Sequence, residues 1–160
     1  MRAFGSGLAI LVAVAMWLLS ANPALARNEL TVVALDGTKT VFSYDELVKM
    51  PVTTITTSTP WTEGKHDFTG VSFAELLKNN GIEGGNIRVF ALNDYSVTVP
   101  AERLTATGAI LAYQMDGKAM SVRDKGPYWV IFPFDSDPDL QTDQYWSYAV
   151  WQVKSINAQP

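Results

Sequence analysis

Cysteine is absent from the 160-residue chain, which carries a single histidine and no apolar run long enough to span a bilayer. The first absence excludes disulfides, thiolate-held metals and cysteine nucleophiles together. One histidine, His66, cannot by itself build a standard zinc centre. No serine–histidine–acid order can be assigned from it and a scatter of acids. Basic clusters are also missing: 12 Lys and Arg stand against 16 Asp and Glu, a formal charge of −4, which argues against a nucleic-acid partner. There is no internal repeat, no low-complexity tract and no linker that would divide the later chain.

What is present begins with an export signal. Arg2 precedes an apolar run from Leu8 to Leu19, and Pro23-Ala24-Leu25-Ala26 supplies small residues two apart. That run is shorter than the roughly 20 residues of a membrane span, so residues 1–26 read as a secretory signal peptide cleaved after Ala26. Residues 27–160 remain, the size of one domain with one core. Loss of Arg2 leaves 11 basic against 16 acidic side chains, a net −5. With no disulfides available, stability rests on the core, for which four tryptophans and six tyrosines are present after residue 26.

Leu30–Leu35 reads as a buried strand, Asp36-Gly37 as a hairpin turn and Lys39–Phe42 as the returning strand. Ser43 lies three residues before Glu46, a capping box, so a helix should run from Tyr44 to Met50 and stop at Pro51. The same signal at Ser72 and Glu75 predicts a helix over 73–80 ending at Gly81. Ile87–Leu92 and Tyr95–Val99 alternate as strands around an Asn93-Asp94 turn, and Pro100–Leu104 predicts one helical turn. Ile110–Met115 and Lys118–Val122 flank an Asp116-Gly117 hairpin turn. Tyr128–Phe132, between Pro127 and Pro133, has the continuous apolar pattern of a central strand. Phe134–Gln144 reads as an acidic surface loop and Trp146–Ile156 as a long closing strand. Short strands, tight turns and two or three short helices predict a β-rich α+β domain.

The stretch from Thr53 to Gly70 is the most informative. Its first seven residues are six Thr or Ser and one Ile, a strand composition, and Pro60 ends the ladder because it has no N–H to donate. A polar loop then carries Trp61 and His66. An aromatic and an ionisable side chain on a loop mounted by a rigid strand is a common arrangement for binding. Histidine's ordinary pKa lies near neutrality, so the readings of His66 are acid/base work, a ligand contact or ordinary packing, with catalysis the least favoured. Asp135, Asp137, Asp139 and Asp143 offer oxygens for calcium, but their spacing lacks the glycine and terminal glutamate of an EF-hand, and a solvated loop is the better reading. Tyr145, Trp146 and Tyr148 beside it could anchor a partner.

Several segments, in order, resemble one family. They are Phe68-Thr69-Gly70-Val71 leading into Phe73-Ala74-Glu75-Leu76-Leu77, the turn Asn93-Asp94-Tyr95, Gly126-Pro127 before the apolar run to Pro133, and the closing Trp151–Ile156. Together they are similar to the molybdopterin-binding domain of the sulfite oxidase group of oxidoreductases. That resemblance implies a sulfite-oxidase-like mixed-sheet fold and a site near Thr57 and Ser58, where the enzymes hold molybdenum through a cysteine thiolate. A neutral alcohol is a poor substitute for that ligand, so molybdenum is not expected and molybdopterin is the less favoured cofactor. The chain is more similar to short, exported, cysteine-free members, for which the resemblance implies free, metal-free pterin in the periplasm. It also implies a relay to the periplasmic domain of a membrane sensor of cyclic di-GMP signalling. Alternatives are a molybdopterin-dependent oxidoreductase without the cysteine and an interaction subunit that binds no ligand.

A pterin needs an aromatic wall and a few polar groups at its edge. The resulting ligand-binding candidates are Thr57, Ser58, Trp61, His66, Asn93, Asp94, Tyr95, Arg123, Lys125 and Gly126, with no catalytic or metal-ligating residue expected. Trp61 would supply the wall, with packing in the core as its other reading, and Tyr95 a second aromatic face. Asp94 would accept from the ring's amide edge. Arg123 and Lys125 would meet an anionic or carbonyl edge, and Gly126 would allow close backbone approach.

Overall fold

The computed structural model describes residues 28–160, so the expected signal peptide and its cleavage site lie outside the described residues. In chain order the elements are β1 (Leu30–Val33), β2 (Lys39–Phe42), α1 (Tyr44–Leu47), β3 (Val52–Ser58), β4 (Lys65–Ser72) and α2 (Phe73–Asn79). There follow β5 (Asn86–Ala91), β6 (Ser96–Pro100), α3 (Ala101–Ala106), β7 (Ile110–Met115) and β8 (Lys118–Ala119). The chain ends with β9 (Trp129–Ile131), α4 (Asp143–Tyr148) and β10 (Val153–Gln159). No helix among the described residues is long and apolar enough to cross a membrane.

Two five-stranded sheets result. One has the order β2-β1-β10-β5-β6, and the other runs β3-β4-β7-β8 with β9 also paired to β7. Only the β1–β10 pair is parallel, since these strands come from opposite ends of the described chain. The fold is α+β, as expected. At α1 the capping box is complete: the Ser43 N–H donates to Glu46 Oε2 at 2.7 Å and the Glu46 N–H to Ser43 Oγ at 3.3 Å. Ser72 caps α2 by accepting from the Glu75 N–H at 3.2 Å.

The larger core lies between the sheets, where Leu30, Val32, Ile87, Val89 and Ile156 of the first meet Val71, Leu111, Tyr113 and Val130 of the second. A smaller cluster of Ile55, Phe68, Ile110, Ala112, Trp129 and Ile131 covers the second sheet's other face. Strands β7 and β9 are therefore apolar on both faces. Trp129 and Phe68 are fully buried, with ring centroids 5.4 Å apart in edge-to-face contact. Each such side chain removes about 150–250 Å² from water, worth about 4–6 kcal/mol before ordering entropy is subtracted.

Four segment expectations need correction. The loop after Pro60 is shorter than its polarity implies, because Lys65–Ser72 is an eight-residue strand in full antiparallel register with β3, and His66 sits on it opposite Thr57. The predicted central strand is only Trp129–Ile131 and pairs with β7 alone. Its other side bonds to an irregular segment, with the Val130 N–H donating to Val150 O at 2.9 Å. The expected strand over 118–122 stops at Ala119, and Val122–Asp124 is a 3-10 turn capped by Ser121. Finally, Trp146 is helical: Thr142 caps α4, and the closing strand begins only at Val153. The acidic loop before it is tethered by buried Phe134 and Leu140 through two 3-10 turns.

Candidate ligand-binding cleft

Between the β3–β4 loop, the β5–β6 turn and α4 lies a cleft of about 450 Å³. Its walls come from three places. The β3–β4 loop contributes Trp61, and the β5–β6 turn contributes Ala91, Asn93 and Tyr95. Helix α4 and the segment after it contribute Asp143, Trp146, Ser147, Ala149, Val150 and Trp151. Three indoles and a phenol thus surround one cavity, whose exposed lining is mainly apolar.

The indoles are held from behind. Trp61 packs against Trp151 at 5.3 Å between centroids and against Trp129 at 6.1 Å, and Trp129 donates through Nε1 to Ala149 O at 3.1 Å. Lys125 lies over this cluster, its Nζ 5.1 Å from the Trp151 ring and 5.7 Å from that of Trp129. Its carbonyl accepts from the Gln152 N–H at 3.0 Å. Gln152 takes a left-handed φ of 52°, and its own carbonyl accepts from Leu92 at 2.9 Å. That bend passes the chain from the segment paired with β9 into β10, just after the lining residues Val150 and Trp151.

Of the sequence candidates, Trp61, Asn93 and Tyr95 line the cleft, and Lys125 supports it through Trp151. The other six lie elsewhere. Thr57 is fully buried, donating to Ser58 O and accepting from the Asp135 N–H at 3.1 Å. The Ser58 N–H and hydroxyl donate to Asp135 at 3.0 and 2.6 Å. The hydroxyls expected at a site near Thr57 and Ser58 instead form a clasp between β3 and the 3-10 turn at Phe134–Ser136. Those bonds hold the Asp135 carboxyl below its usual range, led by the Ser58 hydroxyl.

His66 makes no contribution to the cleft lining. Nδ1 faces Asp116 Oδ2 at 2.6 Å and Nε2 faces Glu63 O at 3.0 Å. Both partners are acceptors, so the doubly protonated ring satisfies both, and the bond to Asp116 raises the pKa of His66. Asp94 pairs with Lys154, whose ammonium bonds to the carboxylate and lowers its pKa. Arg123 is exposed on its 3-10 turn. Gly126 is needed for the loop itself: a Cβ there would lie 1.9 Å from Met120 O. Among the described residues no group of three His, Asp or Glu could hold a metal ion.

Sequence reasoning missed Asp143, Trp146, Ser147 and Trp151 as cleft residues because it placed α4 partly in a loop and partly in a strand. Two signals bore on it: Thr142 as a cap, and the Tyr145–Tyr148 pair at helical spacing, whose rings meet at 5.8 Å.

Comparison with known proteins decides the family. Residues 20–134 match the oxidoreductase molybdopterin binding domain. The chain belongs to this family. Among solved structures it is similar to the sulfane dehydrogenase SoxCD from Paracoccus pantotrophus, with a TM-score of 0.64 and 18% identity. The alignment covers 82% of this chain and 38% of that one, so this chain spans well under half of its length. The likeness is one of fold. The chain matches no curated protein sequence.

The cleft suits only part of the family's cofactor. Molybdopterin combines a flat heterocycle with a dithiolene-held metal and a phosphate. The indole walls fit the first of these. The metal end has no thiolate to meet, and the hydroxyls of Thr57 and Ser58 are engaged by the Asp135 turn. Among the described residues no cation lines the cleft for a phosphate, and the one charged residue of the lining is Asp143. Among the described residues the aromatic lining suits the ring, while no thiolate and no lining cation is there for the metal or phosphate end.

Proposed function

We propose that this family member binds a free, metal-free pterin. We propose further that it does so in the periplasm and reports pterin status to the periplasmic domain of a membrane-bound sensor of cyclic di-GMP signalling. The observation that carries the binding reading is the cleft walled by Trp61, Trp146, Trp151 and Tyr95, in a family whose cofactor is a pterin derivative. The signal-like sequence of residues 1–26 supports export, and the resemblance to short cysteine-free exported members supports the relay.

Titrating purified protein with a tetrahydropterin should quench tryptophan fluorescence saturably and release or absorb heat. Stacking on an aromatic side chain is worth about 1–3 kcal/mol per ring, so Trp61→Ala should weaken binding by about fivefold or more. No quenching and no heat at high micromolar ligand would sink the reading. The family match favours one other reading, an oxidoreductase that retains molybdopterin through contacts other than thiolate. Stoichiometric molybdenum in protein purified from its native source would establish that reading, and pterin without molybdenum would exclude it.

A further inference from the structure

The polar groups at the cleft mouth define more than a flat ring. Asp143 is the one charged residue of the lining, and among the described residues no hydrogen bond or ion pair engages its carboxylate. It therefore presents two acceptor oxygens. Asn93 has its side-chain carbonyl committed to the Tyr95 N–H at 3.2 Å, which leaves the amide NH₂ as a donor. The Ser147 hydroxyl hydrogen is directed to Gln144 O at 2.6 Å, so that residue offers only lone pairs. Among the described lining residues the cleft therefore offers the Asp143 carboxylate as its one charged acceptor and the Asn93 amide as a donor, beside the Tyr95 hydroxyl and the indole N–H groups, and no cation.

We infer that Asp143 and Asn93 are specificity residues that select an unphosphorylated heterocycle with an amino–amide edge, the 2-amino-4-oxo edge of a pterin. This deepens the pterin reading and rests on it. Such an edge presents two adjacent N–H donors and a carbonyl. The donors match the Asp143 carboxylate and the carbonyl matches the Asn93 amide. A phosphate on the ligand finds no cation among the described lining residues. Lumazine, which has a carbonyl in place of the 2-amino group, keeps one ring N–H for the carboxylate but turns an acceptor towards its second oxygen.

The test is tryptophan-quenching titration of full-length wild type, Asp143→Asn and Asp139→Asn with pterin and with neutral lumazine. Asp139 is an exposed acid outside the cleft and controls for net charge. Charged hydrogen bonds predict that wild type prefers pterin by about tenfold or more. Asp143→Asn should lose that preference, binding pterin about tenfold more weakly and lumazine no more weakly, because its new amide can donate to the 2-oxo group. Asp139→Asn should keep the wild-type ratio. Retention of the preference in Asp143→Asn overturns the inference and leaves pterin binding intact. So does equal wild-type binding of the two ligands, or an equal loss in Asp139→Asn. Binding of neither ligand by wild type overturns the inference and the pterin reading together.

Discussion

The clasp between Ser58 and Asp135 ties β3 to the turn after β9, and its strength can be worked from the contacts. Asp135 is held 77 residues from Ser58 in sequence by two hydrogen bonds, and its own N–H donates to buried Thr57. Lys65 Nζ lies 3.2 Å from the same carboxylate but is 67% exposed, so it adds little. Asp135→Ala leaves the half-buried Ser58 N–H and hydroxyl without their acceptor. A charged hydrogen bond is worth about 1.5–3 kcal/mol, and partial access of water to Ser58 reduces the expected loss to about 2 kcal/mol. In a domain of this size that lowers Tm by about 6 °C. Ser58→Ala and the double variant complete a cycle by thermal unfolding at pH 7, with an expected coupling of about 1 kcal/mol. The acid arm follows from the same contact. A carboxyl whose folded pKa is lowered contributes stability that is present above its unfolded value of about 3.9. That contribution is lost as pH falls through the folded value. Additive single effects, or an acid transition unchanged in Asp135→Ala, would refute the clasp.

Two further outcomes follow from the geometry. His66 is the one histidine in the chain, and its folded pKa is raised chiefly by the bond to Asp116. Its stabilising contribution should be full below about pH 6.5 and be lost as pH rises through the folded value. Thermal unfolding between pH 6 and 8 should therefore show a falling Tm in wild type and a flatter profile in His66→Gln; equal slopes would count against the contact. Gly70 sits at the register shift between β4 and β7, where an added Cβ would lie 2.0 Å from Leu111 O. Gly70→Ala should cost about 3 kcal/mol or more in denaturant unfolding, since the obstruction is strand backbone. A loss below about 1 kcal/mol would show that β7 can yield.

Local chemistry was legible in the residues wherever short-range rules act. Ser43 with Glu46 and Ser72 with Glu75 announced both early helices, Asp36-Gly37 and Asp116-Gly117 announced their turns, and six hydroxyl residues among seven announced β3. Trp61 could be singled out as an aromatic on a loop mounted by a strand, and Asn93 and Tyr95 through the resemblance of their turn to the family's; all three line the cleft. Pairing was not legible. Lys65–Ser72 is too polar at its start to read as a strand, and it becomes one because β3 and β7 supply hydrogen-bonding partners on both sides.

The sequence by itself determined that no thiolate is available, that the domain is α+β and built on aromatic packing, and that its segments follow the order of the molybdopterin-binding family. Only the tertiary structure decided which polar groups remain available to a ligand. The hydroxyls of Thr57 and Ser58 are drawn to Asp135 and the imidazole of His66 to Asp116, while Lys154 takes Asp94. The bend at Gln152 and the cap at Thr142 bring Asp143, Trp146 and Trp151 to the cleft instead. A side chain's type sets what it can bind, but partners 50–78 residues away settle whether it is still unengaged.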